Sequence, residues 1–134
     1  MFNMNLEGVV VKIIYDNIIK NVGPQAEVIS EEKMFILFGD NAPDLLKDFC
    51  YTIDVKNLNG NIYRGSILEV DGKEYKITAV GNIAEKNLVD LGHVTFMFDG
   101  SKEASLPGTI YVEKSEVPKL HVGSTILIKN QVTS

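Results

Sequence analysis

The sequence predicts an all-β protein, mainly an antiparallel barrel or sandwich, that also contains two short α-helices. About eight short runs rich in β-branched and aromatic residues recur at near-regular spacing, which is typical of barrels and sandwiches. Gly, Asn, Asp and Pro separate these runs, and only two segments show a helical period. With 134 residues, 45% of them hydrophobic, the chain has the size and composition of one globular domain, and we expect residues 1–134 to form it.

The strand predictions follow from β-branched runs with alternating polarity. In 65–81 the pair Asp71-Gly72 marks a hairpin, because both residues suit the positive φ angles of a type I′ turn. The alternation in 50–55 indicates a half-buried strand. In chain order, the runs that predict strands are residues 8–16, 26–30, 33–39, 50–55, 65–81, 93–100, 108–114 and 124–130.

Two segments predict short helices, residues 42–49 and 82–91. Pro43 suits the first turn of the first, and the second has an apolar stripe formed by Ile83, Ala84, Leu88 and Leu91. In the second, Asn82 is placed to cap the helix, and Glu85 three residues later can reach back as in a capping box. Gly92 follows directly and is suited to end the helix in the left-handed conformation.

Charge and cysteine content restrict the classes of partner. The net charge is −5, so the chain offers no basic surface for nucleic acid or for an anionic membrane. Cys50 is the one cysteine, which excludes an intrachain disulfide and fits a reducing compartment. We see no signal peptide and no apolar run near the ~20 residues that span a bilayer. We therefore expect a cytoplasmic protein without membrane insertion, and exposed strand edges would permit a homodimer.

His93 is one of two histidines and follows the predicted end of the second helix. Because side chains alternate across a strand, Val94, Phe96 and Phe98 should enter the core, while His93 and Thr95 share the opposite face. The position allows two interpretations, a structural surface histidine or a nucleophile that takes up a phosphoryl group. The helix C-terminus nearby should raise the imidazole pKa modestly.

The other candidate residues give weaker signals. His121 lies in a turn-like stretch and should face solvent, and Cys50 should be a buried, inert thiol. Asp44 and Asp48 are four residues apart on a predicted helix, where a solvated face is the better interpretation than a glycosidase pair. The chain lacks zinc-ligand spacing and any P-loop or dinucleotide fingerprint, so we expect no metal and no cofactor. It also lacks tryptophan, which leaves a sugar-binding barrel without a stacking platform.

Several motifs together resemble a known family. "ITAVGNIAEKNLVDLGHVTFMFDG" (77–100) and "LPGTIYV" (106–112) contain T-A-V-G, A-E-x-N-L, L-G-H-V-T, F-D-G and P-G-T in that order. Upstream, "MFILFGDNAPDLLKDFC" (34–50) adds a strand, an Ala-Pro turn, a short helix and a cysteine. Over about residues 8–130 the chain closely resembles the IIA component of the glucitol/sorbitol-specific phosphotransferase system.

This resemblance implies a phosphocarrier that accepts a phosphoryl group on histidine from the small protein HPr. It would pass the group to the IIB component, which phosphorylates the sugar entering through the membrane-embedded IIC. The resemblance to one family member implies a phosphohistidine in a C-x-x-H arrangement just after the cysteine, and here that position is Ile53. Two interpretations follow. Either His93, supported by the Thr95 hydroxyl, is the acceptor, which we favour, or the chain is a degenerate member that acts as a non-catalytic β-barrel binding or regulatory module.

Overall fold

Ten strands and two α-helices make up the fold of residues 2–4 and 9–133, which the computed structural model describes. The helices are α1 (Asp44–Lys47) and α2 (Ala84–Leu91), and a 3₁₀ helix spans Val28–Glu32. The strands are β1 (Phe2–Met4), β2 (Val9–Ile18), β3 (Asn21–Val22), β4 (Met34–Phe38), β5 (Tyr51–Thr52), β6 (Ile67–Val70), β7 (Lys73–Val80), β8 (Val94–Met97), β9 (Thr109–Val112) and β10 (Thr125–Thr133). The predicted all-β class with two short helices is confirmed.

The strands form one sheet in the order β1-β2-β10-β6-β7-β9-β8-β4-β5-β3. Neighbours are antiparallel except for the pairs β4–β5 and β8–β9, which are parallel. One apolar cluster collects side chains from β2, β6 and β10 and also from β4, β8 and β9. Since these strands lie far apart in the order, the sheet curls so that one face encloses the core.

The hairpin of β6 and β7 forms as predicted. Asp71 has φ 49° and Gly72 has φ 86°, so both turn residues adopt the left-handed conformation that a type I′ turn requires. The Asp71 carboxylate also accepts a hydrogen bond of 2.9 Å from the Thr125 backbone N–H. The turn therefore fixes the β6–β7 register and ties it to the start of β10.

The start of α2 differs from the prediction. Ile83, not Asn82, occupies the N-cap position, and no side chain caps the helix. The Ile83 N–H donates instead to the Pro107 carbonyl at 3.0 Å, and the Glu85 carboxylate accepts the Ile62 N–H at 3.1 Å. Partners distant in sequence thus replace the local capping box that the sequence pattern suggests.

The predicted strand at 26–30 is wrong, because this segment is a turn followed by the 3₁₀ helix. The Ala26 N–H donates to the Gly23 carbonyl at 3.0 Å, and the Gln25 N–H donates to the Asp48 carbonyl at 2.8 Å. The backbone groups that a strand would need are therefore used to close this turn against the end of α1.

The remaining strands form close to their predicted positions, with some differences in length. The 50–55 segment shrinks to the two residues of β5, and the short strands β1 and β3 have no counterpart among the predictions. The prediction for 8–16 corresponds to β2, and its first residue, Gly8, lies outside the described residues, as do other parts of the predicted 1–134 domain.

Candidate functional site

The side chains of residues 93–98, which comprise β8 and one residue on each side of it, alternate between the two faces of the sheet as predicted. Val94, Phe96 and Phe98 are fully buried in the core. His93 and Thr95 are half-buried and lie on the opposite, outer face of the sheet.

The end of α2 positions the His93 backbone. Gly92 has φ 67°, the predicted left-handed helix end, and its N–H donates to the Leu88 carbonyl at 2.9 Å. The His93 N–H donates to the Asn87 carbonyl at 3.1 Å. These bonds satisfy the last helical carbonyls and turn the chain from the helix directly into β8.

The imidazole of His93 stacks on the ring of Phe38. The ring centroids are 4.1 Å apart and the planes differ by 11°. The contact follows from the register, because β4 is antiparallel to β8 and pairs Leu37 with Val94, which brings the next residues on the outer face together.

Burial against this surface lowers the pKa of His93 below its usual 6.5. The expectation that the helix C-terminus raises it is therefore wrong in sign, since desolvation of the half-covered ring opposes the charged form. Across the described part of the chain, no charged side chain contributes to the shift. The lowered pKa favours the neutral imidazole, which has a lone pair available on one ring nitrogen.

Phe38 belongs to a small apolar cluster that underlies one side of the site. It packs with Ala42 and Cys50, and Ile36 lies against them. Helix α1 connects Ala42 to Cys50, so β4, α1 and β5 form a compact parallel crossover over this cluster. Burial raises the pKa of the Cys50 thiol to about 11, which keeps it protonated and unreactive, as the sequence suggested.

The segment before β9 covers the sheet on the other side of β8. β9 pairs Thr95 with Thr109, and its Tyr111 hydroxyl points away from the core, where it accepts the Leu106 N–H at 3.0 Å. The Ser105 hydroxyl lies 3.2 Å from the same phenol oxygen. The outer face of β8, here called the His93 surface, therefore lies between the α1 crossover on one side and residues 105–107 on the other.

Three of the motifs that suggested a family meet at this end of the sheet. The Gly81 N–H of T-A-V-G donates to the Thr109 carbonyl of P-G-T at 2.8 Å. A Cβ on Gly81 would lie 2.6 Å from the Leu106 carbonyl oxygen and closer still to Pro107. The Thr95 N–H of L-G-H-V-T in turn donates to the Gly108 carbonyl at 3.4 Å. Glycine at position 81 thus permits the close approach of these segments beside the His93 surface.

Ile53 lies immediately behind the site but on the core side. Its side chain is fully buried, and its N–H donates to the Phe38 carbonyl at 3.0 Å. A Cβ on Gly92 would be 3.5 Å from Ile53 Cγ1. Ile53, the position at which the resemblance places a C-x-x-H histidine, and His93 are therefore neighbours in space, which sequence spacing alone did not indicate.

The other candidates lie apart from this constellation. His121 is exposed in a turn before β10, where its N–H donates to the Ser124 hydroxyl at 3.0 Å. Asp44 and Asp48 are exposed on and beside α1. Within residues 2–4 and 9–133, no three His, Cys, Asp or Glu side chains cluster as metal ligands would. None of the helices formed by the described residues has the length and apolarity needed to cross a membrane.

The fold matches that of a phosphotransferase-system component of known structure. The chain is similar to the crystal structure of the PTS system IIA component from Enterococcus faecalis V583, with 29% identity and a TM-score of 0.74. The match covers 84% of this chain and 97% of that one.

Sequence comparison narrows the class to one family. The family described as PTS system glucitol/sorbitol-specific IIA component matches residues 14–127. The chain is also 38% identical over 100 residues to the glucitol/sorbitol-specific EIIA components of Shigella flexneri and of Escherichia coli K12. Each match covers 75% of this chain and 81% of the relative. The chain therefore belongs to the family of glucitol/sorbitol-specific IIA components, and the predicted resemblance is confirmed.

Proposed function

We propose that this protein is a cytoplasmic phosphocarrier in which His93 accepts a phosphoryl group from HPr and passes it to the IIB component during glucitol/sorbitol uptake through IIC. The observation that carries the proposal is the half-buried imidazole of His93, which stacks on Phe38 on the outer face of β8, where burial lowers its pKa. A protonated ring could not attack phosphorus, so the lowered pKa keeps the nucleophile competent at neutral pH.

The bonds and protons of the proposed transfer balance without a metal or cofactor. The unprotonated ring nitrogen of His93 attacks phosphorus in line, and the phosphorus–nitrogen bond of the donor histidine breaks. The proton on the other ring nitrogen of His93 is released while the donor imidazole takes one up. The reverse exchange with the acceptor protein regenerates neutral His93.

We assign Thr95 the role of a supporting hydroxyl. It lies two residues along the strand on the same outer face as His93, and both side chains are half-buried. A hydroxyl in this position can donate to a phosphoryl oxygen as charge redistributes, and partial exclusion of water strengthens that bond.

A second candidate function rests on Ile53. Its fully buried aliphatic side chain occupies the position of the family's C-x-x-H histidine and cannot carry phosphate. If this loss removed acceptance, the chain would be a binding or regulatory module of the same family. In both cases we propose that residues 1–134 act as one domain, because β2 through β10 contribute to a single core.

The two functions differ in phosphoryl acceptance. The protein is incubated with phosphoenolpyruvate, enzyme I and HPr, and its intact mass is measured before and after brief acid treatment. Wild type and His121→Ala should gain an acid-labile phosphoryl group, whereas His93→Ala should remain unmodified and folded. If wild type gains no phosphoryl group, the result favours the binding module. If His93→Ala gains one, a residue other than His93 is the acceptor.

A further inference from the structure

Helix α1 and the residue that follows it display large apolar side chains to solvent. Leu45 is 87% exposed, and Leu46 and Phe49 are 45% and 39% exposed. A four-residue helix that packs on a small apolar cluster could turn these side chains inward, yet none of its residues is buried. Exposed apolar groups that lie together on a surface are a feature of protein interaction sites.

This apolar segment borders the His93 surface. Both ends of the segment, Ala42 and Cys50, pack with Phe38, and Phe38 stacks on His93. Leu91 is exposed at the end of α2, and its carbonyl accepts the Gly39 N–H at 2.9 Å, which places it beside the loop that leads from β4 into α1. We define the α1 patch as Leu45, Leu46, Phe49 and Leu91.

Acidic side chains border the α1 patch. Asp40, Asp44 and Asp48 are exposed within the same loop and helix, and Asp90 is exposed beside Leu91. Lys20 pairs with Asp40 at 2.9 Å, and Lys86 pairs with Asp90 at 2.6 Å. The net negative charge of this border therefore comes from Asp44 and Asp48, which Lys47 offsets in part. A partner that covers the apolar centre must bring positive charge to its rim, or the aspartates lose hydration without compensation.

We propose that the α1 patch is the docking surface for the phosphoryl donor protein, whose contact face has an apolar centre bordered by Lys or Arg side chains. This proposal rests on the proposed function, because the donor must come within bonding distance of His93. Contacts of this kind are brief and small, so a few central apolar side chains carry much of the affinity.

The test measures binding of purified, unphosphorylated HPr by isothermal titration calorimetry, which requires no phosphoryl transfer. Leu45→Ser should weaken binding about tenfold, as expected for loss of a central apolar contact. The matched control is Val28→Ser, because Val28 is 53% exposed on the 3₁₀ helix that precedes the opposite end of β4. It should change the dissociation constant by less than about twofold.

A second pair of variants tests the contribution of negative charge to HPr binding. Asp44→Lys should weaken binding most at low salt, whereas Glu31→Lys on the 3₁₀ helix should have little effect. Leu45→Ser should still accept a phosphoryl group from the small donor phosphoramidate as wild type does, which shows that the His93 site is intact.

The outcomes separate the two proposals. Wild type that binds HPr through the α1 patch but never becomes phosphorylated would contradict the phosphocarrier function alone. Equal effects of Leu45→Ser and Val28→Ser, or no HPr binding by wild type, would overturn the docking proposal. It would also be overturned if sedimentation showed Leu45→Ser converting a dimer into a monomer, because a second copy of the chain would then occupy the patch.

Discussion

Phe38→Ala should raise the pKa of His93 toward its usual 6.5. The Phe38 ring covers one face of the imidazole at a centroid distance of 4.1 Å, and burial is the cause of the lowered pKa. Removing the ring admits water to that face, so the charged form becomes less costly. The variant should then accept phosphate more slowly than wild type at mildly acidic pH, because more of its imidazole is protonated.

The structural cost of this change can be estimated. Phe38 is 6% exposed, so the substitution empties nearly the whole volume of a buried ring, which costs about 3 to 5 kcal/mol of unfolding free energy. The site lies on the outer face, where water can enter the space, so the lower end of that range is expected. A domain of ordinary stability, about 5 to 15 kcal/mol, remains folded.

The assay is an NMR titration of the imidazole C–H signals of His93, assigned with His93→Ala. The control is Leu68→Ala, since Leu68 is fully buried on β6, several strands away from the site. It should cost about 2 to 5 kcal/mol and leave the pKa of His93 unchanged. An unchanged pKa in Phe38→Ala, or an equal rise in both variants, would refute the role given to the stacked ring.

Three further predictions concern the surroundings of the site. Cys50→Ser should fold and accept phosphate like wild type, because the buried thiol stays protonated, and a folded variant that cannot accept phosphate would contradict this. Gly81→Ala should lower the free energy of unfolding in urea by about 3 kcal/mol, because the added Cβ overpacks against the carbonyls of residues 106 and 107. An unchanged urea midpoint would show that the backbone does not approach Gly81 closely. The lowered pKa of His93 means that the unfolded chain binds more protons just below pH 6.5, so stability should fall as pH falls through that window. His93→Gln should show a shallower fall, and an equal slope would argue against the shift.

Local patterns predicted the parts of the fold that local chemistry determines. Alternation in 93–98 placed His93 and Thr95 on the face opposite the core, because a strand repeats every two residues. Asp71-Gly72 and Gly92 adopt the left-handed conformations that their residue types favour. In these cases the deciding interaction lies within a few residues of the position itself.

The features of the fold and the site that sequence patterns did not predict depend on contacts between distant segments. The 26–30 segment has strand-like composition, yet its backbone closes a turn against the end of α1. Nothing near Phe38 in sequence indicates that its ring covers His93, since the contact depends on the β4–β8 register. The sign of the His93 pKa shift followed from that contact, so the helix-end argument failed for the same reason.

The most direct test of the account locates the phosphoryl group on the wild-type chain. After incubation with phosphoenolpyruvate, enzyme I and HPr, the protein is digested with trypsin at alkaline pH, which preserves phosphohistidine, and the peptides are fragmented in a mass spectrometer. Cleavage after lysine places His93 in the peptide 87–102 and His121 in 120–129, with no other histidine in either. We predict the phosphoryl group on His93 in the first peptide, and a phosphoryl group found only in the second, or in neither, would contradict the account.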